Sequence, residues 1–306
     1  MGSPRFPRLL HAACFLWCLT VAMQPDCACA ADAPAAMDAL RQKPTRELQA
    51  LLMKQYEENR CLDVIDTAVV LSDKIQNKRF FAWAEAKSYE GRCYFKLTDG
   101  PIKPQVKQDL LAKALAALGA ANAATSRLPQ KTPIVYQQLI NLTFMADVHR
   151  TIAESAEPDM NFRRADELLS LVENLVERRP DIARTALAGF ISMKKGGALL
   201  GTAQRTDDRL KKSHLLKSAL KEYRKALSFD YGKQKPHYDA WIHGNTGVVL
   251  ESLGSLHRDE GYYRQAIASY ESMLDVPGRS INFSADVRIR CHILVLSMKA
   301  ALASMR

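Results

Sequence analysis

Between Leu253 and Pro277 small and aromatic residues fall at the offsets that two touching helices require. Gly254 is read late in one helix, where only a small residue lets a partner helix approach. Gly261 is read as the end of that helix and the start of a turn. Ala266 lies on the second helix facing the first, Tyr270 follows one turn further along the same face, and Pro277 stops the helix. A stretch of this kind has to fold as a helical hairpin.

The rest of the chain follows the same grammar. Of 306 residues only 14 are Gly and 13 Pro, and no run of alternating β-branched residues suggests a strand. Helix is expected from Thr45, read as an N-cap, to Glu58, and again over Cys61–Ile75, Phe80–Leu97, Val106–Ala124, Ile134–Ala153, Asn161–Arg179, Asp181–Gln204, Asp208–Phe229, His237–His257 and Tyr262–Leu274. Asn282–Met305, with Asn282 or Ser284 as its cap, closes the array and covers its last open face. Gly91 with Tyr94, Ala165, and Ala219 with Tyr223 and Ala226 repeat parts of the first pattern. Ala114, Ala117 and Gly119 allow another close approach, as do Gly197 and Gly201.

These residues resemble the tetratricopeptide repeat (TPR), whose pattern is a leucine–glycine pair, an aromatic, an alanine, an aromatic and a closing proline over about 34 residues. The resemblance implies an all-α fold: a TPR-like α-solenoid, or a compact array of about five antiparallel helical pairs plus a C-terminal capping helix. It also implies a concave groove lined by the first helix of each pair, where an extended peptide or a helix would lie. Positions just outside the glycine contact would face it: Arg92, Gln138, Asn141, Lys195, Trp241, Asn245 and Glu251, with Glu85, Ser88 and Ser255 beside them.

The N-terminus reads differently. Arg5 and Arg8 precede an apolar run from Leu9 to Met23, and Ala28-Cys29-Ala30 supplies small residues for cleavage. Residues 1–30 are therefore read as a signal peptide, 31–44 as a flexible leader and 45–306 as the repeat domain, in a protein exported to a bacterial periplasm. Cys61, Cys93 and Cys291 remain after cleavage. Cys61 opens a second helix and Cys93 lies late in the next first helix, so a disulfide between them is expected, with two buried free thiols as the alternative.

No catalytic constellation, cofactor motif or metal-ligand spacing is recognisable, and the histidines are scattered. The chain is not read as an enzyme. Its charge is +10. Lys217, Lys221, Arg224 and Lys225 recur on one side of a helix, which suits an anionic surface or simply a solvated face. Nucleic acid is not expected, because exposed aromatics do not interleave with the basic residues. The leading expectation is a non-enzymatic scaffold binding a protein or peptide in envelope complex assembly. The alternative is a periplasmic small-molecule or lipid carrier associated with a transporter.

Overall fold

A computed structural model describes residues 33–75, 81–229 and 236–276, with 294–296, 298–299 and 302–303 near the C-terminus. Among the described residues every regular element is helical and none is a strand. The helices are α1 (Ala33–Gln42), α2 (Thr45–Glu57), α3 (Cys61–Lys74), α4 (Phe81–Lys96), α5 (Pro104–Thr125), α6 (Thr132–Ala153), α7 (Pro158–Glu177), α8 (Pro180–Ala183), α9 (Ala186–Arg205), α10 (Arg209–Leu227), α11 (Pro236–His257) and α12 (Glu260–Asp275). Five pairs result: α2/α3, α4/α5, α6/α7, α9/α10 and α11/α12. This is a helical-repeat-like all-α fold.

The chain divides into two compact units between Ala183 and Arg184. The expected helix Asp181–Gln204 is broken at the same place, into α8 and α9. Thr185, with extended backbone, forms the N-cap of α9.

In the first unit the core joins Leu48 and Leu52 of α2, Val64, Ala68 and Leu71 of α3, and Ala86 and Cys93 of α4. The leader is not flexible throughout. Met37 and Leu40, three residues apart on α1, pack against this core, so an apolar stripe orders it. Pro44 occupies the N-cap of α2, and Thr45 is its first helical residue. At the far end of this unit Arg179 forks onto both oxygens of Asp181, at 2.9 and 2.7 Å. The Thr132 hydroxyl donates to the same carboxylate at 2.9 Å, tying α8 to the start of α6.

Antiparallel pairing in the second unit is set by glycine against aromatic. A Cβ on Gly196 would stand 2.8 Å from the Tyr223 ring, and one on Gly189 2.9 Å from Phe229. Gly247 faces Tyr270 at 2.5 Å and Gly254 faces Tyr263 at 3.1 Å. Tyr223, Ala266 and Tyr270 are all fully buried. Gly261 does not end the first helix of its hairpin. Asp259 caps α12 by accepting from the Gly261 N–H at 2.7 Å, and Arg258, with φ 55°, makes the turn. Gly119 faces open space, so it does not mediate a close approach. The expected signal peptide, Pro277, Asn282, Ser284 and Cys291 lie outside the described residues, and so does most of the capping helix.

Candidate functional site

In the first unit α2, α4 and α6 are neighbours, each the first helix of its pair. Arg92 of α4 is the centre of the face they share. Its guanidinium carbon lies 4.2 Å from the ring centroid of Tyr56 on α2, 5.0 Å from Tyr89 and 5.0 Å from Phe144 on α6. Its Nη2 donates to the Tyr56 hydroxyl at 2.6 Å. Tyr56 and Tyr89 meet edge-on at 4.8 Å between centroids. One turn beyond Arg92, the Lys96 ammonium sits 4.0 Å from the Tyr56 centroid and donates to Asn59 Oδ1 at 3.3 Å. Two cations therefore share one ring, and each such contact contributes about 0.5–2 kcal/mol according to its desolvation.

The electrostatics of this face follow from its partial burial. Burial pushes the Glu85 carboxyl above the usual carboxylate range. It also raises the phenols of Tyr89 and Tyr136, while the Arg92 charge opposes both shifts. Tyr136 keeps 37% of its surface exposed. Met53, one turn before Tyr56, is 46% exposed.

Beneath this layer Gln137 Nε2 donates to Ser88 Oγ at 2.6 Å and to Asn141 Oδ1 at 3.2 Å. Ser88 and Asn141 are fully buried, so they join α4 to α6 rather than face a groove. Gln138 is half-buried beside them.

Of the four residues expected in the groove of the second unit, three contact a neighbouring helix and the fourth, Asn245, bonds within its own helix. Lys195 reaches Glu222 of α10 at 3.1 Å. Trp241 lies edge-on to Tyr223, 6.1 Å between centroids. Asn245 is buried and donates to the Trp241 carbonyl at 2.8 Å. Glu251 accepts from the Tyr270 hydroxyl at 3.0 Å. Gly247 and Glu251 are four apart and share a helix face, so whatever lies against Gly247 also meets Glu251. Sequence reasoning missed Tyr56, Tyr89, Phe144 and Tyr136. The spacing of three between Tyr89 and Arg92 was the available signal.

Cys61 and Cys93 are buried, free thiols of one core cluster, rather than the expected disulfide. Lys217, Lys221, Arg224 and Lys225 are all exposed on α10, and Arg224 donates to Gln265 at 3.3 Å. Among the described residues no helix is long and apolar enough to cross a membrane. Among the same residues no group of three or more His, Cys, Asp or Glu is placed to hold a metal ion.

His243 of α11 supplies a pH-dependent element. Burial pulls its value below the ordinary 6.5, and Asp239, one turn earlier, opposes the shift. The unfolded chain therefore binds this proton more readily than the folded chain. The neutral ring is accommodated without cost above pH 6.5, and stability falls as pH drops from there towards the lower folded value. In the His243→Gln variant, stability of the second unit should lose part of its decline below pH 6.5. Urea midpoints at pH 7.5 and 5.5 measure this; an unchanged difference between the two would refute it.

No protein-family model matches the chain, and no curated protein matches it in sequence.

Proposed function

We propose that this chain is an exported, TPR-like, non-enzymatic scaffold. It binds a protein or peptide segment over α2, α4 and α6 of its first unit and serves the assembly of an envelope complex. Export rests on the basic start, short apolar run and small-residue cleavage site of residues 1–30. The TPR likeness rests on the Leu253–Pro277 pattern together with the glycine–aromatic pairing of successive helices.

One observation carries the binding reading: an arginine held among three aromatic rings, with the part-exposed Tyr136 within reach of its charge and Met53 part-exposed one turn before Tyr56. Arg, Tyr and Met are enriched where proteins meet, and rigid aromatics lose little entropy on contact. Arg92 itself is a poor site to mutate, because its removal would disturb the core of the face. Asn245→Asp would place a charge in a buried site and would report stability, not binding.

Tyr136→Ala combined with Met53→Ala is the cleaner test. A truncated hot-spot aromatic typically costs about 2 kcal/mol, so partner retention should weaken roughly thirtyfold. The melting temperature should move less than for a core truncation, since Tyr136 is 37% and Met53 46% exposed. Pull-down from an envelope extract, with the partner identified and its Kd remeasured, checks this. Equal retention by wild type and variant would overturn the assignment, as would a co-purifying small molecule seen by native mass spectrometry. Lys217→Glu with Lys221→Glu separates the basic face of α10 from this site. If that face docks on an anionic surface, only binding to anionic vesicles should fall.

A further inference from the structure

Cys61 is the first residue of α3, and Cys93 lies near the end of α4. They belong to one core cluster, with Leu48, Val64 and Ala86 around them. Helices α3 and α4 pack against each other, which sets both thiols in the same small core. Their surroundings differ. Cys61 sits where the amide N–H groups of a 14-residue helix point outward. The Lys96 ammonium is fastened to Asn59, two residues earlier, in the turn that starts this helix. Arg92 adjoins Cys93 in sequence and also lowers the Cys61 thiol. Cys93, near the end of α4 and far from that helix's N-terminus, is pushed up by the neighbouring Cys61 and by burial.

We propose that Cys61 and Cys93 form a redox couple that exchanges between the dithiol and a disulfide, with Cys61 attacking the oxidant and Cys93 resolving the mixed disulfide. The oxidant is another disulfide, RSSR, of the glutathione class. The Cys61 thiolate attacks one of its sulfurs, forming Cys61–S–S–R and releasing RS⁻. Cys93 passes its proton to a released thiolate and attacks Cys61 Sγ. The second RS⁻ leaves as the Cys61–Cys93 bond forms. Two protein thiols and one disulfide thus become one protein disulfide and two small thiols. Access lies through the start of α3. Cys61 itself is 2% exposed, but Leu62 beside it is 68% exposed, so a local opening of one turn admits the oxidant. The proposal is independent of the partner-binding reading.

The test equilibrates the full chain with reduced and oxidised glutathione at several ratios, quenches with acid, alkylates under denaturing conditions and digests with trypsin. Cleavage after Arg60, Lys74, Arg92 and Lys96 isolates each cysteine in its own peptide. The expected result is a linked pair of peptides, 61–74 with 93–96, abundant at oxidising ratios and lost at reducing ones. In the Cys93→Ser variant, a glutathione adduct should build up on Cys61 several-fold faster than on Cys93 in Cys61→Ser. Full alkylation of both wild-type thiols at every ratio would overturn the couple. Faster adduct formation on Cys93 would overturn the assignment of the attacking thiol. If either variant fails to fold, the wild-type linkage alone decides the couple.

Discussion

Tyr270→Ala should destabilise the second unit by about 3–5 kcal/mol, as truncation of a fully buried large aromatic does elsewhere. Tyr270 has no exposed surface, and its ring lies against the backbone of α11 at Gly247. Its hydroxyl donates to Glu251, so the same side chain meets α11 at two points one turn apart. Gly247→Ala attacks the contact from the other side. The added Cβ would stand 2.5 Å from the Tyr270 ring, closer than any real contact allows, so α11 and α12 must separate. The loss should be about 1–3 kcal/mol, partly offset by the better helix propensity of alanine. The double variant is the decisive measurement. With the ring removed the methyl has room, so the double loss should fall below the sum of the singles by about 1–3 kcal/mol. Urea unfolding combined with hydrogen exchange over α11 and α12 would read this. Simple additivity would mean that glycine and tyrosine are not the seam of this hairpin.

That seam was half legible in the sequence. The pattern around Leu253–Pro277 announced a hairpin and identified Ala266 and Tyr270 as buried, because small and aromatic residues at helical spacing have few other uses. It did not identify the glycine that Tyr270 touches. Gly254 lies nearer in the chain, but it meets Tyr263, and Gly247 meets Tyr270. Pairing of this kind depends on the turn, and the turn falls at Arg258 and Asp259, not at Gly261. A three-residue difference there moves every cross-helix partner by about a turn.

The candidate site was less legible for a related reason. Placing Lys195, Asn245 and Glu251 in a groove required the rotation of each first helix, and the reference glycine fixes that rotation. Glu251 shares a face with Gly247, so it was bound to meet α12. In the first unit Gly91 meets α5, and Arg92 beside it lies among rings of α2, α4 and α6. Its surroundings could not be read from one sequence. Tyr56, Tyr89 and Phe144 come from three helices spread over almost ninety residues, and only their packing brings them to one guanidinium. Antiparallel order alone places the start of α3 beside the end of α4, so Cys61 and Cys93 share one core, but as free thiols and not as the expected disulfide.

Two glycines in a single hairpin should respond to the same substitution with opposite signs. Gly91 of α4 is pressed against α5: an added Cβ would lie 2.7 Å from Leu118 Cγ, 3.0 Å from the Ala114 carbonyl oxygen and 3.0 Å from the Leu118 nitrogen. Two of those three atoms are backbone and cannot rotate away, and Leu118 is fully buried. Gly91→Ala should therefore cost about 1–3 kcal/mol even after the gain in helix propensity, and Gly91→Val more. Gly119 lies within α5, and a Cβ there would meet nothing within 4 Å. Gly119→Ala should stabilise the first unit by about 0.5–1 kcal/mol, through the lower conformational entropy of the unfolded chain. Urea midpoints of the two variants, with hydrogen exchange over α4 and α5, would show the midpoint falling for one and rising for the other. A fall for both would mean that α5 packs Gly119 against a neighbour. A rise for both would mean that the α4/α5 hairpin is held apart and that Gly91 does not set its spacing.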